Sequence, residues 1–162
     1  MVFNSEHVMK CLIDPQGWAT PQQHGVDLNV IGIMKVNGGQ ILKEKTALQT
    51  ATPVGVSRDE QTHITYWDLE PGYMYAITFS QGIEVPANAK ANIIHRSSVL
   101  RAGAMLFSAE YDAGFKTNNM GAFMITTAPL RIEQQSRLAQ VVMCETEETS
   151  SLYDGQWQGG KN

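Results

Sequence analysis

The residues with the densest chemistry are Arg96-Ser97-Ser98-Val99-Leu100-Arg101, which place two cations and two hydroxyls directly behind Ile93-Ile94-His95. A strand that ends in such a cluster suits a polyanion, because guanidinium forks and hydroxyl donors pair well with phosphate oxygens. Ser97 or Ser98 would equally suit the cap of a helix. Four further islands put reactive side chains next to apolar strands: His24-Gly25-Val26-Asp27-Leu28, Tyr111-Asp112-Ala113-Gly114-Phe115, Ser136-Arg137-Leu138-Ala139-Gln140, and a tail from Tyr153 to Gly160 that contains Trp157. An aspartate embedded like Asp27 is unfavourable unless it is paired or ligated. Asp112 reads as a turn residue as readily as an acid with work to do, and Arg137 reads as a solvated strand end as readily as a functional cation.

The elements that must position these islands are mostly strands. Ser5 to Ile13 is predicted to be a short helix, capped by Ser5 and carrying Val8, Met9 and Leu12 on one stripe. Pro15, Gly17 and Pro21 interrupt regular structure. From Val26 onward the pattern is β: Val26-Leu28-Val30, Ile33-Lys35-Val36, Ile64-Tyr66 and Met74-Ala76-Ile77 alternate, with Asn37-Gly38-Gly39 and Pro71-Gly72 as turns. Strands continue through Ile93-Ile94, Met105 to Phe107, Ala122 to Ile125 and Leu138 to Met143, whereas polar Thr46 to Gln61 is expected to be a surface excursion. Short, closely spaced strands of this kind imply a mainly β sandwich, jelly roll or distorted barrel with a short N-terminal helix.

The bulk composition bounds the function. At 162 residues, residues 1–162 form one domain, and 43% apolar with 17% charged residues describes an ordinary globule. A formal charge of −4 argues against broad nucleic-acid or anionic-membrane binding, so any phosphate site must be a local concentration of cations. Cys11 and Cys144 have no ligand spacing and are expected to be ordinary buried thiols. Met1 to Lys10 lacks a signal-peptide pattern and nothing later could span a bilayer, so a cytoplasmic location is expected.

Taken in order, the five islands resemble the five motifs of the trimeric dUTPase and dCTP deaminase superfamily. Gly25-Val26-Asp27-Leu28 is similar to the first motif, Arg96-Ser97-Ser98 to the second, Asp112-Ala113-Gly114-Phe115 to the third and Ser136 to Gln140 to the fourth; the Gly-rich aromatic tail stands where the fifth does. Leu69-Glu70-Pro71-Gly72, Ile83-Glu84-Val85-Pro86 and the Arg-Ser-Ser-x-x-Arg-x-Gly run resemble the deaminase branch in particular. The resemblance implies a homotrimer whose sites are built from neighbouring chains. It assigns Asp112 to water activation, and Asp27 to a magnesium ion held through water. It assigns Arg96, Ser97, Ser98 and Gln140 to the phosphates, Arg137 of the fourth motif to substrate binding, Arg101 to a position used by deaminases, and Phe115 to the deoxyribose. Residues 152–162 become a lid in which Tyr153 and Trp157 cover the nucleotide, although Trp157 replaces the phenylalanine of the usual dUTPase tail.

The two activities of the superfamily make different demands. Its zinc-free deaminases use a glutamate, in a Gly-x-x-x-Leu-Glu pattern, to shuttle protons while water attacks C4 of cytosine. The matching stretch here is Gly121-Ala122-Phe123-Met124-Ile125-Thr126, with Lys116 to Met120 as a small insertion before it, and Thr126 falls in the place of the glutamate. A threonine does not titrate near neutrality and cannot be that acid/base. The His-x-Glu and Pro-Cys-x-x-Cys pattern of zinc deaminases is absent. Hydrolysis of a triphosphate needs a carboxylate, a divalent ion and donors for the developing charge. The expectation is therefore hydrolysis of dUTP, or a related deoxyuridine triphosphate, to the monophosphate and pyrophosphate. The alternatives are dCTP deaminase, a bifunctional enzyme, and a catalytically silent nucleotide-binding regulator.

Overall fold

The computed structural model describes residues 1–43, 46–147, 149 and 151–159. Helix α1 (Ser5–Cys11) is capped by Asn4, whose side-chain oxygen accepts the His7 N–H at 3.0 Å. The cap thus lies one residue before the expected Ser5, and the helix ends at Cys11 because Leu12 is already extended. It is followed by β1 (Leu12–Ile13), β2 (Thr20–Pro21), β3 (Gly25–Ile41), β4 (Thr46–Pro53), β5 (Ser57–Arg58), β6 (Thr65–Leu69), β7 (Met74–Phe79) and β8 (Gly82–Glu84). Then come β9 (Ala89–His95), helix α2 (Ser97–Arg101), β10 (Ala104–Phe107), β11 (Lys116–Thr117), β12 (Gly121–Thr126), β13 (Leu130–Glu133) and β14 (Arg137–Glu145). The mainly β architecture expected from the sequence is the one observed, with open sheets.

Strand β3 organises the molecule. Its first half pairs with β14 and β2, its middle with β7, and its end with β4, so one 17-residue strand serves two layers. The strand order through it is β10-β12-β7-β3-β14-β9, and small sheets β1-β8-β11 and β13-β6-β5 flank this path. Residues Gly25 to Val30 are buried on both faces, so Val26, Leu28 and Val30 join Phe79, Met124 and Met143 in a single core. Complete burial of such side chains stabilises by about 1.5–3 kcal/mol each.

Three expectations change here. Asn37-Gly38-Gly39 lies within β3, where the register against β4 slips on both sides of Gly38, whose φ is +111°. The glycine therefore marks bulges rather than a chain reversal. Thr46 to Gln61 is not a plain excursion, since Thr46–Pro53 pairs with the outer half of β3 and Ser57–Arg58 pairs with β6. That outer half of β3 is largely exposed and polar, so no apolar alternation announced the hairpin. The thiols of Cys11 and Cys144 are free and half-buried rather than buried. No helix among the described residues is long and apolar enough to cross a membrane.

A buried polar pair fixes the place where β14 begins. The Asn29 N–H donates to Gln81 Oε1 at 2.9 Å, Gln81 Nε2 donates to Asn29 Oδ1 at 3.0 Å, and Asn29 Nδ2 donates to the Gln135 carbonyl at 2.8 Å. Gln135 takes φ +64°, and Arg137 follows two residues later.

Candidate active site

The first cluster forms around Asp27. Thr20 of β2 lies opposite it on one side and Gln140 of β14 on the other. This close approach requires Gly25: a Cβ there would meet the Val141 carbonyl oxygen at 2.7 Å and Gln140 Cγ at 2.9 Å. Side chains alternate along a strand, so Arg137 would ordinarily point away from Gln140. A register shift between Arg137 and Ala139 turns Arg137 to the same side. Gln140 Nε2 donates to Asp27 Oδ1 at 3.2 Å, while Oδ2 accepts from Arg137 Nη1 at 3.3 Å and Gln22 Nε2 at 3.2 Å. Arg96 Nε faces the same oxygen at 3.4 Å.

Arg96 follows directly on β9, held by its N–H on the Leu138 carbonyl at 3.1 Å. It is the N-cap residue of α2 and provides no side-chain cap bond; Ser97 and Ser98 sit in the first turn with exposed side chains. The capping reading of the two serines therefore does not hold, and their hydroxyls face solvent beside the arginines. Arg101, in the last turn of α2, is exposed as well. Gln22, in the segment Pro21-Gln22-Gln23 just before β3, is the contact that motif reasoning missed.

The second cluster surrounds Asp112. The chain turns here: the Phe115 N–H donates to the Asp112 carbonyl at 3.0 Å, the Gly114 N–H donates to the Val85 carbonyl at 3.0 Å, and Gly114 has φ +83°. The turn exposes the Asp112 carboxylate to an open cavity of about 430 Å³ lined by Lys90, Asp112, Ala113, Glu147, Leu152 and Tyr153. Lys90 pairs with Glu110 at 2.8 Å, and that hydrogen bond, with the charges of Glu110 and Asp112, holds its ammonium above the usual range. Beneath the turn, the Tyr111 hydroxyl donates to the Gly121 carbonyl at 2.8 Å, and burial pushes its pKa up.

The tail closes on this second cluster of its own chain. The Tyr153 N–H donates to the Ala113 carbonyl at 2.8 Å, and the Gly159 N–H donates to the Lys116 carbonyl at 2.8 Å. Between them the Gln158 side chain accepts the Lys116 N–H at 3.0 Å and donates to the Gly114 carbonyl at 2.9 Å. Phe115, only 8% exposed, is packed between Tyr111 and Tyr153 with ring centroids 5.1 and 5.3 Å away. Trp157 is exposed, with its backbone N–H donating to the Tyr153 hydroxyl at 3.3 Å. Gln158 ends the Tyr-x-Gly-x-aromatic-Gln pattern by which the tail resembles the deaminase branch, but its backbone partners were not visible in that pattern. Gly160 and the last two residues of the expected lid lie outside the described residues.

The two clusters stand at opposite ends of β9. Tyr111 bridges to Ala91, and Arg96 lies five residues further along, which at ~3.3 Å per residue is roughly 17 Å.

A magnesium ion does not fit Asp27. Its side chain is 1% exposed, and a carboxylate offers about four lone-pair sites, to which Gln22, Arg96, Arg137 and Gln140 already direct donors. Magnesium keeps much of its water shell, and two guanidiniums would repel it. Among the described residues no group of three His, Cys, Asp or Glu side chains is placed to hold a metal.

Thr126 is fully buried in β12, opposite Ala104 of β10. Its hydroxyl donates to the Ala128 carbonyl at 2.5 Å, so it closes the local turn and is not presented to a ligand. The stretch Lys116 to Met120 is ordered structure: Lys116–Thr117 pairs with β8, and Met120 is completely buried.

Known proteins resemble this chain in sequence and in fold. Residues 5–146 match the family described as dCTP deaminase-like. The deoxyuridine 5'-triphosphate nucleotidohydrolase of Methanocaldococcus jannaschii is 31% identical over 141 residues, spanning 85% of this chain and 86% of the relative. A probable enzyme of the same name from Halobacterium salinarum is 30% identical over 138 residues, spanning 85% of this chain and 82% of the relative. Among solved structures, the 2'-deoxycytidine 5'-triphosphate deaminase from Agrobacterium tumefaciens superposes with a TM-score of 0.63 at 13% identity, over 88% of this chain and 47% of that one.

Proposed function

The chain belongs to the dCTP deaminase-like family, and from that premise we propose that it hydrolyses dUTP to dUMP and pyrophosphate. Asp112, exposed at its turn, accepts a proton from water as the water oxygen attacks the α-phosphorus. The bond from the α-phosphorus to the bridging oxygen breaks, and pyrophosphate leaves with the negative charge. Arg96, Arg137, Ser97, Ser98 and Gln140 donate to the phosphate oxygens, with Arg101 at the rim. Their donors stand ready before the charge develops, which is the condition for electrostatic stabilisation. Magnesium arriving with the triphosphate would neutralise part of its charge.

The two half-sites cannot serve one phosphorus atom within a single chain, because roughly 17 Å of β9 separates them. The proposal therefore includes a homotrimer in which Asp112 of one copy faces the arginine cluster of the next. Phe115 meets the deoxyribose only when Tyr153 lifts from it, so tail movement accompanies binding.

The observation that carries hydrolysis over deamination is Thr126, buried and already committed to the Ala128 carbonyl where a deaminase needs a titratable acid. The deciding experiment incubates the protein with magnesium and, separately, dUTP, dCTP, dTTP and UTP, and resolves the products. Monophosphate and pyrophosphate from dUTP are expected; deaminated triphosphate from dCTP at a comparable rate would favour the deaminase, and no turnover of either would favour a silent regulator.

A further inference from the structure

Asp27 is the most completely enclosed carboxylate of the site, and each of its polar neighbours is a donor. Two of them are cations that would otherwise repel one another. Arg96 Nε and Arg137 Nη1 lie 3.4 and 3.3 Å from the same oxygen, Oδ2, and Arg96 Nη1 also donates to the Arg137 carbonyl at 3.2 Å. The acid is 1% exposed, but the side chains of Arg96 and Arg137 are 34% and 41% exposed. Arg137 thus contacts Asp27 through Nη1, and Arg96 uses Nε on Asp27 and Nη1 on the Arg137 carbonyl, so each guanidinium keeps further N–H donors that are not spent on these contacts. The second oxygen, Oδ1, performs the same service for Gln140, whose amide is thereby fixed with its N–H on Asp27.

We infer that Asp27 is a positioning residue for polyphosphate rather than a seat for the metal. One buried negative charge lets two guanidiniums stand side by side, preset as a pair of forks for adjacent phosphate groups. Local backbone features converge on the same end: Gly25 permits the close approach of β14, the register shift turns Arg137 inward, and the turn after β2 brings Gln22 onto Oδ2. A charged group held by second contacts loses little freedom on binding, so preorganisation appears directly as affinity. This inference deepens the proposed function and rests on phosphates arriving at Arg96 and Arg137.

The test uses inorganic tripolyphosphate, which has neither base nor sugar, with the full chain in EDTA and then in a magnesium titration. Asp27→Asn keeps the shape but removes the charge that lets the two guanidiniums stand side by side. Its tripolyphosphate affinity in EDTA should fall roughly tenfold or more while the protein stays folded and assembled, at a lowered melting temperature because the buried pair is broken. The additional loss from Arg137→Ala should be smaller in the Asp27→Asn background than in the parent, because the arginine is already released. Unchanged affinity in EDTA together with a raised magnesium midpoint would overturn the inference in favour of a metal carboxylate. Failure of the parent to bind tripolyphosphate would also overturn it. If Asp27→Asn does not fold, Arg137→Lys, which keeps the charge without the fork, must show the same loss in EDTA; parental affinity there would overturn the inference. Should dUTP prove not to be the substrate, the tripolyphosphate result would still stand or fall separately.

Discussion

Replacing Gly25 with alanine isolates how tightly the site depends on the β3–β14 contact. The added Cβ would lie 2.7 Å from the Val141 carbonyl oxygen, 2.9 Å from Gln140 Cγ and 3.0 Å from Val142 Cγ1. A comfortable carbon–oxygen approach is about 3.3 Å, so β14 must retreat by roughly 0.6 Å at this point. Gln140 stands opposite Asp27, and its hydrogen bond is already 3.2 Å long, so a retreat of that size breaks it. Overpacking of this kind destabilises by about 1–3 kcal/mol, and in a domain of this size each kcal/mol lowers Tm by ~2–4 °C. Misplacement of this order at a catalytic site should lower kcat/KM by roughly tenfold or more. Gly32→Ala is the matched control in the same strand, since its Cβ would meet only Thr78 atoms at 3.6 and 3.7 Å, ordinary contact distances. Urea unfolding and steady-state pyrophosphate release should therefore separate the two variants, with Gly32→Ala near the parent in both. Equal midpoints and equal turnover for the two would refute the reasoning.

Other perturbations address the remaining parts of the site. Asp112→Asn should keep binding of a non-hydrolysable dUTP analogue while kcat falls by about 10²–10⁴, because the amide cannot take the proton from water; rapid turnover would leave Asp112 as a turn residue only. Truncation after Ser151 should leave the assembly folded and lower kcat/KM by about tenfold or more, and in the full chain Trp157 fluorescence should change when the analogue binds with magnesium. Full activity of the truncated chain would remove the tail from the mechanism. Thr126→Glu should destabilise by roughly 3 kcal/mol or more, since it buries an acid where a hydroxyl now donates to Ala128, and should release no ammonia from dCTP. Ammonia release by a stably folded Thr126→Glu variant would show that the position lies in a deaminase site after all.

Much of this was legible in the residues, for identifiable reasons. Apolar alternation announced the central strands, and the buried run through β3 made Asp27 conspicuous as a carboxylate that needed partners. The identity of those partners was hidden, because Gln22, Arg96, Arg137 and Gln140 meet through a tight turn, a strand end and a register shift. A shift of one residue reverses which face a side chain occupies, and periodicity alone does not record it. The pairing of β3 with β4 was missed because the outer half of β3 is exposed and lacks the apolar contrast that marks a strand. The tail could be read as an aromatic within glycines, but not as a segment that hydrogen-bonds the third island of its own chain through Gln158.

The most direct measurement of the central claim is subunit mixing. Chains carrying Asp112→Asn retain the arginine cluster, and chains carrying Arg96→Ala retain the exposed acid. Each alone should release almost no pyrophosphate from dUTP. When the two are unfolded together in equal amounts and reassembled, about a quarter of the sites should combine an intact arginine cluster from one copy with an intact Asp112 from another, restoring about a quarter of the parent's pyrophosphate release. Reassembled mixed oligomers that stay as inactive as the separate variants would contradict a site shared between copies.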